Sequence, residues 1–207
     1  MPIVAIIRPG ATEFDEQHRV QGSLDIPLSP QGAEQVSLIA ERLRQIPLEV
    51  LLCPAAEPAA SSAEVLSELL GVPVREIEGL ENQDLGLWQG LQIEELRRKY
   101  PKAIRQHEEL PATVCPPNGE TVNDVRDRLE AALARPLRRY DVIGLVLPEP
   151  VASLARDLLL EESPQAMCPL CTDNHCGELE FVNTESHLVA YDYDSVATVG
   201  AARKNGL

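Results

Sequence analysis

Ile3-Val4-Ala5-Ile6-Ile7-Arg8-Pro9-Gly10-Ala11-Thr12 is the stretch from which the rest of the chain can be laid out. Its first five residues are apolar and mostly β-branched. The run is too short for a helix and reads as a strand buried on both faces. Arg8 follows, and Pro9 with Gly10 ends the strand and turns the chain. In an open α/β sheet, ligands bind just beyond the carboxyl ends of such strands, so Arg8 is a candidate site residue. The next position, where a reactive side chain would be sought, is a proline.

Further along, strand and helix patterns alternate. Residues 9–29 read as a loop rich in Gly, Asp, Ser and Pro. Ser29 and Pro30 open a helix, with Ser29 as cap and Pro30 at the first helical position. Ala33, Val36, Ala40 and Leu43 share a face of it at helical spacing. Leu48 to Cys53 is a second buried strand. An Ala/Pro-rich turn over 54–60 leads into a helix that Gly71 and Pro73 stop near Leu70. Val74 to Ile77 is a short strand, and residues 80–90 form a loop holding the single tryptophan. Residues 93–109 are helical and interrupted at Pro101. Pro116 to Gly119 is a turn. Thr121 and Asp124 resemble a capping box with Asp in place of the usual Glu or Gln. Val122, Val125, Leu129 and Leu133 give the helix that follows an apolar face. Val142 to Leu147 is another buried strand, ended by Pro148-Glu149-Pro150 and followed by a helix from Val151 to about Leu160. Residues 178–183 and 187–193 read as two late strands.

This alternation predicts an α/β fold, a three-layer sandwich with a mainly parallel sheet covered on both sides. Its 207 residues suit one well-cored domain, taken as 1–195, with 196–207 as a C-terminal tail. No apolar run approaches the roughly 18 residues of a membrane span. No basic segment followed by an apolar core suggests a signal peptide, so a cytoplasmic protein is expected. Five cysteines, an odd number, fit reduced thiols better than a disulfide framework. A formal net charge of −15 disfavours nucleic acid and anionic membrane as partners and reads as a solvated acidic surface.

Several segments, in order, resemble the histidine phosphatase superfamily, the phosphoglycerate mutase-like fold. Arg8-Pro9-Gly10-Ala11-Thr12 stands where that family has Arg-His-Gly-Glu-Thr. Arg19-Val20-Gln21-Gly22, then Asp25 to Ser29 and Gly32, match the loop and helix entry that follow. Gly86-Leu87-Trp88-Gln89-Gly90 resembles Gly-x-Trp-Glu-Gly. Pro117-Asn118-Gly119-Glu120-Thr121 resembles Pro-x-Gly-Glu-Ser/Thr, and Asn183 with His187-Leu188 resembles the last hairpin. The likeness runs over residues 3–192.

The resemblance implies phosphoryl transfer through a histidine nucleophile. Two arginines and a second histidine would neutralise the phosphoryl oxygens, and a carboxylic acid would protonate the leaving group. In this sequence the nucleophile position is Pro9, the second histidine aligns with Pro148, the second arginine with Glu57 and the acid with Asn82. A phosphate-touching asparagine of the family falls on Asp15. Of that pocket Arg8 alone remains, set among new carboxylates. Unit charges about 4 Å apart interact by roughly 4 kcal/mol at an effective dielectric of about 20, enough to repel most of a phosphate dianion's affinity.

The expectation is therefore a pseudoenzyme, a binding or regulatory protein whose partner is a small molecule or a protein and which needs no cofactor. Arg8, Asp15, Glu57 and Asn82 are the candidate ligand-binding residues, with Arg8 expected to pair with Asp15 or Glu57 and close the pocket. Two other functions stand beside this one. One is a phosphatase or phosphomutase using non-standard groups, His18 or Cys53. The other is a metal-binding interaction module at Cys168, Cys171, His175 and Cys176, where Cys-x2-Cys is a zinc-like spacing. Adjacent His175 and Cys176 suit one tetrahedral ion poorly, which favours plain thiols. His107 and His187 read as surface and structural positions.

Overall fold

In the computed structural model, which describes residues 2–109, 114–162 and 176–183, the elements run in the order that the alternation predicts. They are β1 (Ile3–Ile7), α1 (Glu13–Glu16), α2 (Pro30–Leu43), β2 (Val50–Cys53), α3 (Ala59–Leu70), β3 (Val74–Glu76), α4 (Ile93–Lys99), α5 (Pro101–Glu109), α6 (Val122–Leu133), α7 (Pro136–Arg139), β4 (Val142–Val146), α8 (Val151–Leu159) and β5 (Leu179–Asn183), with a 3-10 turn at Gly86–Trp88. The sheet order is β3-β2-β4-β1-β5. β1, β2, β3 and β4 are parallel, and β5 runs antiparallel along β1.

Successive strand residues point to opposite faces, and the three central strands are apolar on both. Val4, Ile6, Val50, Leu52, Ile143 and Leu145 pack under α6 and α8, against Val125, Leu129, Val151 and Ala155. Ile3, Ala5, Ile7, Leu51, Cys53, Val142 and Val146 pack under α2 and α3, against Val36, Ile39, Leu43, Ala63 and Leu66. These are the three layers. Gly144 is the one gap in the β4 run. A Cβ there would lie 2.6 Å from the Leu51 side chain, so the neighbouring strand fills the space.

Local signals hold where their chemistry is local. Ser29 Oγ accepts from Gly32 N at 3.1 Å and Pro30 opens α2. The buried stripe of α2 includes Ile39, while Ala33 is only half-buried. Thr121 and Asp124 form the full reciprocal capping box, so Asp serves where Glu or Gln is usual. Pro101 divides the 93–109 segment into α4 and α5. The expected loop at 9–29 also holds a short helix, α1, whose box of Thr12 and Asp15 is the same device. The expected second late strand (187–193) and the tail lie outside the described residues.

A third, smaller core joins Val20, Leu85, Trp88, Ile93, Leu96, Ile104 and Val114 away from the sheet. Trp88 is 1% exposed, with its ring 6.4 Å from that of Tyr100. No described helix is long and apolar enough to cross a membrane.

Candidate functional site

The carboxyl ends of β1, β2 and β4 lie side by side, and the loops that leave them form one cluster. The chain after β1 is fixed by backbone contact. The backbones of Gly10 and Gly32 approach so closely that a Cβ on either would collide with main chain of the other segment. Gly10 N also donates to Ser62 Oγ at 3.3 Å, and Ala11 N to Gln35 Oε1 at 2.9 Å. On the other side the 176–178 segment extends the β5 ladder past its end. Arg8 N donates to Glu178 O and Gly177 N donates to Pro9 O, each at 2.9 Å. Arg8 and Pro9 are both buried.

Arg8 does not pair with Asp15 or Glu57, which corrects the expectation from sequence. Its Nε lies 2.5 Å from Glu149 Oε1, and its Nη1 lies 3.6 Å from Glu180 Oε2. The strand order explains this. β4 and β5 flank β1, whereas β2, which delivers Glu57, is one strand further away. Neighbouring strands are about 4.8 Å apart, so groups leaving β4 and β5 meet Arg8 first. Asp15 is engaged elsewhere: its Oδ2 accepts from Thr12 N and Thr12 Oγ1, both at 2.7 Å. It also faces the Cys176 thiol.

The loops after β2 and β4 use the same construction. Glu57-Pro58-Ala59-Ala60-Ser61 and Glu149-Pro150-Val151-Ala152-Ser153 both read Glu-Pro-x-Ala-Ser. Each glutamate stands just before its helix and turns its carboxylate onto the first turn. Glu149 Oε1 accepts from Ser153 Oγ at 2.9 Å and Oε2 from Ser153 N at 3.4 Å. Glu57 accepts from Ser61 Oγ and, at 3.3 Å, from Ser61 N. A carboxylate at a helix N-terminus satisfies an orphan N–H and suits the positive end of the macrodipole. Both Glu-Pro bonds are cis. Glu149 and Glu180 were missed in sequence as site residues. For Glu149 the repeated five-residue pattern was an available signal. For Glu180 there was none, since only the ladder with β1 brings it close.

Behind this pair lies a second ionic contact. Arg156 Nη2 reaches Asp157 Oδ1 at 2.8 Å, and Asp157 is 1% exposed. Burial works against the Arg156 charge, but Asp157, then Glu180 and Glu149, hold its pKa above the ordinary value. The carboxylates around Arg8 thus belong to a mixed ionic layer.

Asn82 is buried. Its Nδ2 donates to Gly22 O at 2.9 Å, and its Oδ1 accepts from Gln83 N at 2.9 Å. Arg128 of α6 anchors the same loop through Gly79 O, Glu81 O and Asn82 O, and pairs with Glu120. His18 is exposed, with φ +52. Cys53 is buried at the end of β2. Desolvation, with Glu76 and Glu64 adding, pushes its thiol from 9.0 up to about 12. Cys176 is likewise pushed up to about 12, by burial and then by Asp15. Neither thiol is a thiolate near neutral pH. Cys168, Cys171, His175, His187 and the side chain of His107 lie outside the described residues. Within those described, no three His, Cys, Asp or Glu side chains gather as for a metal ion.

Comparison with known proteins follows the same lines. The model of the histidine phosphatase superfamily (branch 1) matches residues 4–178. A protein of Bacillus subtilis named uncharacterized phosphatase PhoE is 29% identical over 140 residues, 68% of this chain and 67% of its own length. Phosphoserine phosphatase 1 of Hydrogenobacter thermophilus is 28% identical over 135 residues, 65% of this chain and 64% of that protein. The matched stretch thus spans about two thirds of these relatives. Among solved structures, mycobacterial glucosyl-3-phosphoglycerate phosphatase in complex with VO3 superposes with a TM-score of 0.72 at 26% identity, covering 83% of this chain and 86% of that one.

Proposed function

This chain belongs to the histidine phosphatase superfamily, and from that premise we propose that it is a pseudoenzyme, a phosphoglycerate mutase-like protein that binds or regulates and does not transfer phosphate. One observation carries the reading. At the carboxyl ends of β1 and β4, where the resemblance implies histidines, stand Pro9 and Pro148. Proline has no side-chain lone pair to attack phosphorus and no N–H to give to an oxygen. The expected second arginine is Glu57, whose carboxylate is turned onto α3. The expected acid is Asn82, which has no proton to give and is held between Gly22 and Gln83.

Replacement nucleophiles are poorly supported. The Cys53 and Cys176 thiols stay protonated, and His18 faces solvent. The relatives carry the names of phosphatases, which makes a generic aryl phosphate the right probe. Purified protein is expected to release no nitrophenol above the uncatalysed rate. Turnover that disappears in Arg8→Met would overturn the proposal. The working unit is taken as residues 1–195 in the cytoplasm, with a small molecule or a protein as partner.

A further inference from the structure

Arg8 is 6% exposed. A guanidinium carries five N–H donors in a planar fork, yet here only Nε is hydrogen-bonded, to Glu149. Nη1 faces Glu180 at 3.6 Å, too far for a hydrogen bond. Among the described residues no acceptor takes the Nη hydrogens. In chemical terms this is a donor edge left to solvent: the Arg8 side chain keeps 8% exposure, and its Nη atoms are not among the fully buried polar atoms that lack a partner. The edge bearing Nη1 and Nη2 offers the parallel pair of N–H bonds that two oxygens of a tetrahedral oxyanion accept.

The anion in place is the protein's own. Glu149 is side-chain 25% exposed and is locked by Ser153 on the first turn of α8. Its charge is directed at Arg8, and Glu180 adds a second carboxylate. Against both, an incoming phosphate meets repulsion of the size that decides binding.

We propose that Glu149 is a resident anion that closes an oxyanion subsite on Arg8, so that neutralising this single carboxylate reopens the subsite to phosphate. The proposal rests on the reading that the native site does not process phosphate esters, but it is tested separately. Glu149→Gln keeps an oxygen for the Ser153 hydroxyl and removes the charge. The full-length protein and this variant would be titrated with inorganic phosphate at constant ionic strength, by calorimetry and by thermal unfolding, with chloride as the control salt. The native protein is expected to show no phosphate-dependent shift. The variant is expected to bind phosphate about tenfold or more tightly than the native protein, the scale of one charge-assisted hydrogen bond. The gain should vanish in the double variant Arg8→Gln with Glu149→Gln. A folded Glu149→Gln protein indifferent to phosphate overturns the proposal, as does a gain that survives loss of Arg8. If Glu149→Gln does not fold, Glu149→Ala removes the same charge, and absence of a gain there overturns it equally. Hydrolysis of aryl phosphate by the native chain would instead defeat the pseudoenzyme reading and leave this titration to be judged by itself.

Discussion

The loops after β2 and β4 are built alike and sit in different electrostatic settings. Both carry Glu-Pro-x-Ala-Ser, and both aim a carboxylate at the hydroxyl and N–H of the serine. Glu149 also meets Arg8, whereas Glu57 has no ion pair among the described residues. The contrast separates two things that one side chain can do. Capping a helix depends on five consecutive residues. Neutralising an arginine 141 residues away depends on which strand lies next to which.

The largest test of that contrast removes the arginine. Arg8→Met strands two partly buried carboxylates, and urea unfolding should show a loss of about 3 kcal/mol, near the lower end for breaking a buried pair. A loss under about 0.5 kcal/mol, the range of an ordinary surface change, would mean that the ion pair is idle. Next, Glu149→Gln should cost about 1–2 kcal/mol as a charged hydrogen bond is lost, while Glu57→Gln should stay within about 0.5 kcal/mol. Equal losses would erase the distinction drawn here. The shared part of the design predicts similarity: Ser153→Ala and Ser61→Ala should each cost about 1 kcal/mol, as losses of helix-terminal bonds do.

The last effect is one of pH, silent at neutrality and confined to alkali, at the β2 edge. The Cys53 thiol is raised from 9.0 to about 12 by burial and by Glu76 and Glu64. The unfolded chain therefore gives up that proton at lower pH than the folded one. The stability contributed is fully present below pH 9 and is lost as the pH rises toward 12. Cys53→Ala should flatten that decline in a series of unfolding curves. Cys176, raised in the same way, should account for part of what remains.

These contrasts also show what could be read ahead of the structure. The three central strands were legible because each is a short run of apolar residues bounded by prolines or turns, and burial on both faces needs nothing else. Helix entries at Ser29 and Thr121 were legible because caps are local. α1 was not, since a four-residue run of three acidic residues and Phe14 carries no periodicity and only the Thr12 box marks it. The role of Asp15 was misjudged for the same reason: its partner was three residues away, not across the pocket. The Arg8 pairing was misjudged because the order of strands, unlike their existence, leaves no imprint on composition or spacing. The changed positions Pro9, Glu57, Asn82 and Pro148 were visible only through likeness to a family, as the chain by itself does not say what should stand there.

The placement of the single tryptophan has an experimental consequence. Trp88 belongs to the small outer core with Tyr100, not to either face of the sheet. Its emission will therefore report on the packing of that cap, whereas far-ultraviolet dichroism will be dominated by the helices that cover the sheet. The molecule carries a natural two-channel gauge. Coincident melting in the two signals would show that cap and sandwich unfold as one unit, and divergence would give the free energy by which the cap opens alone.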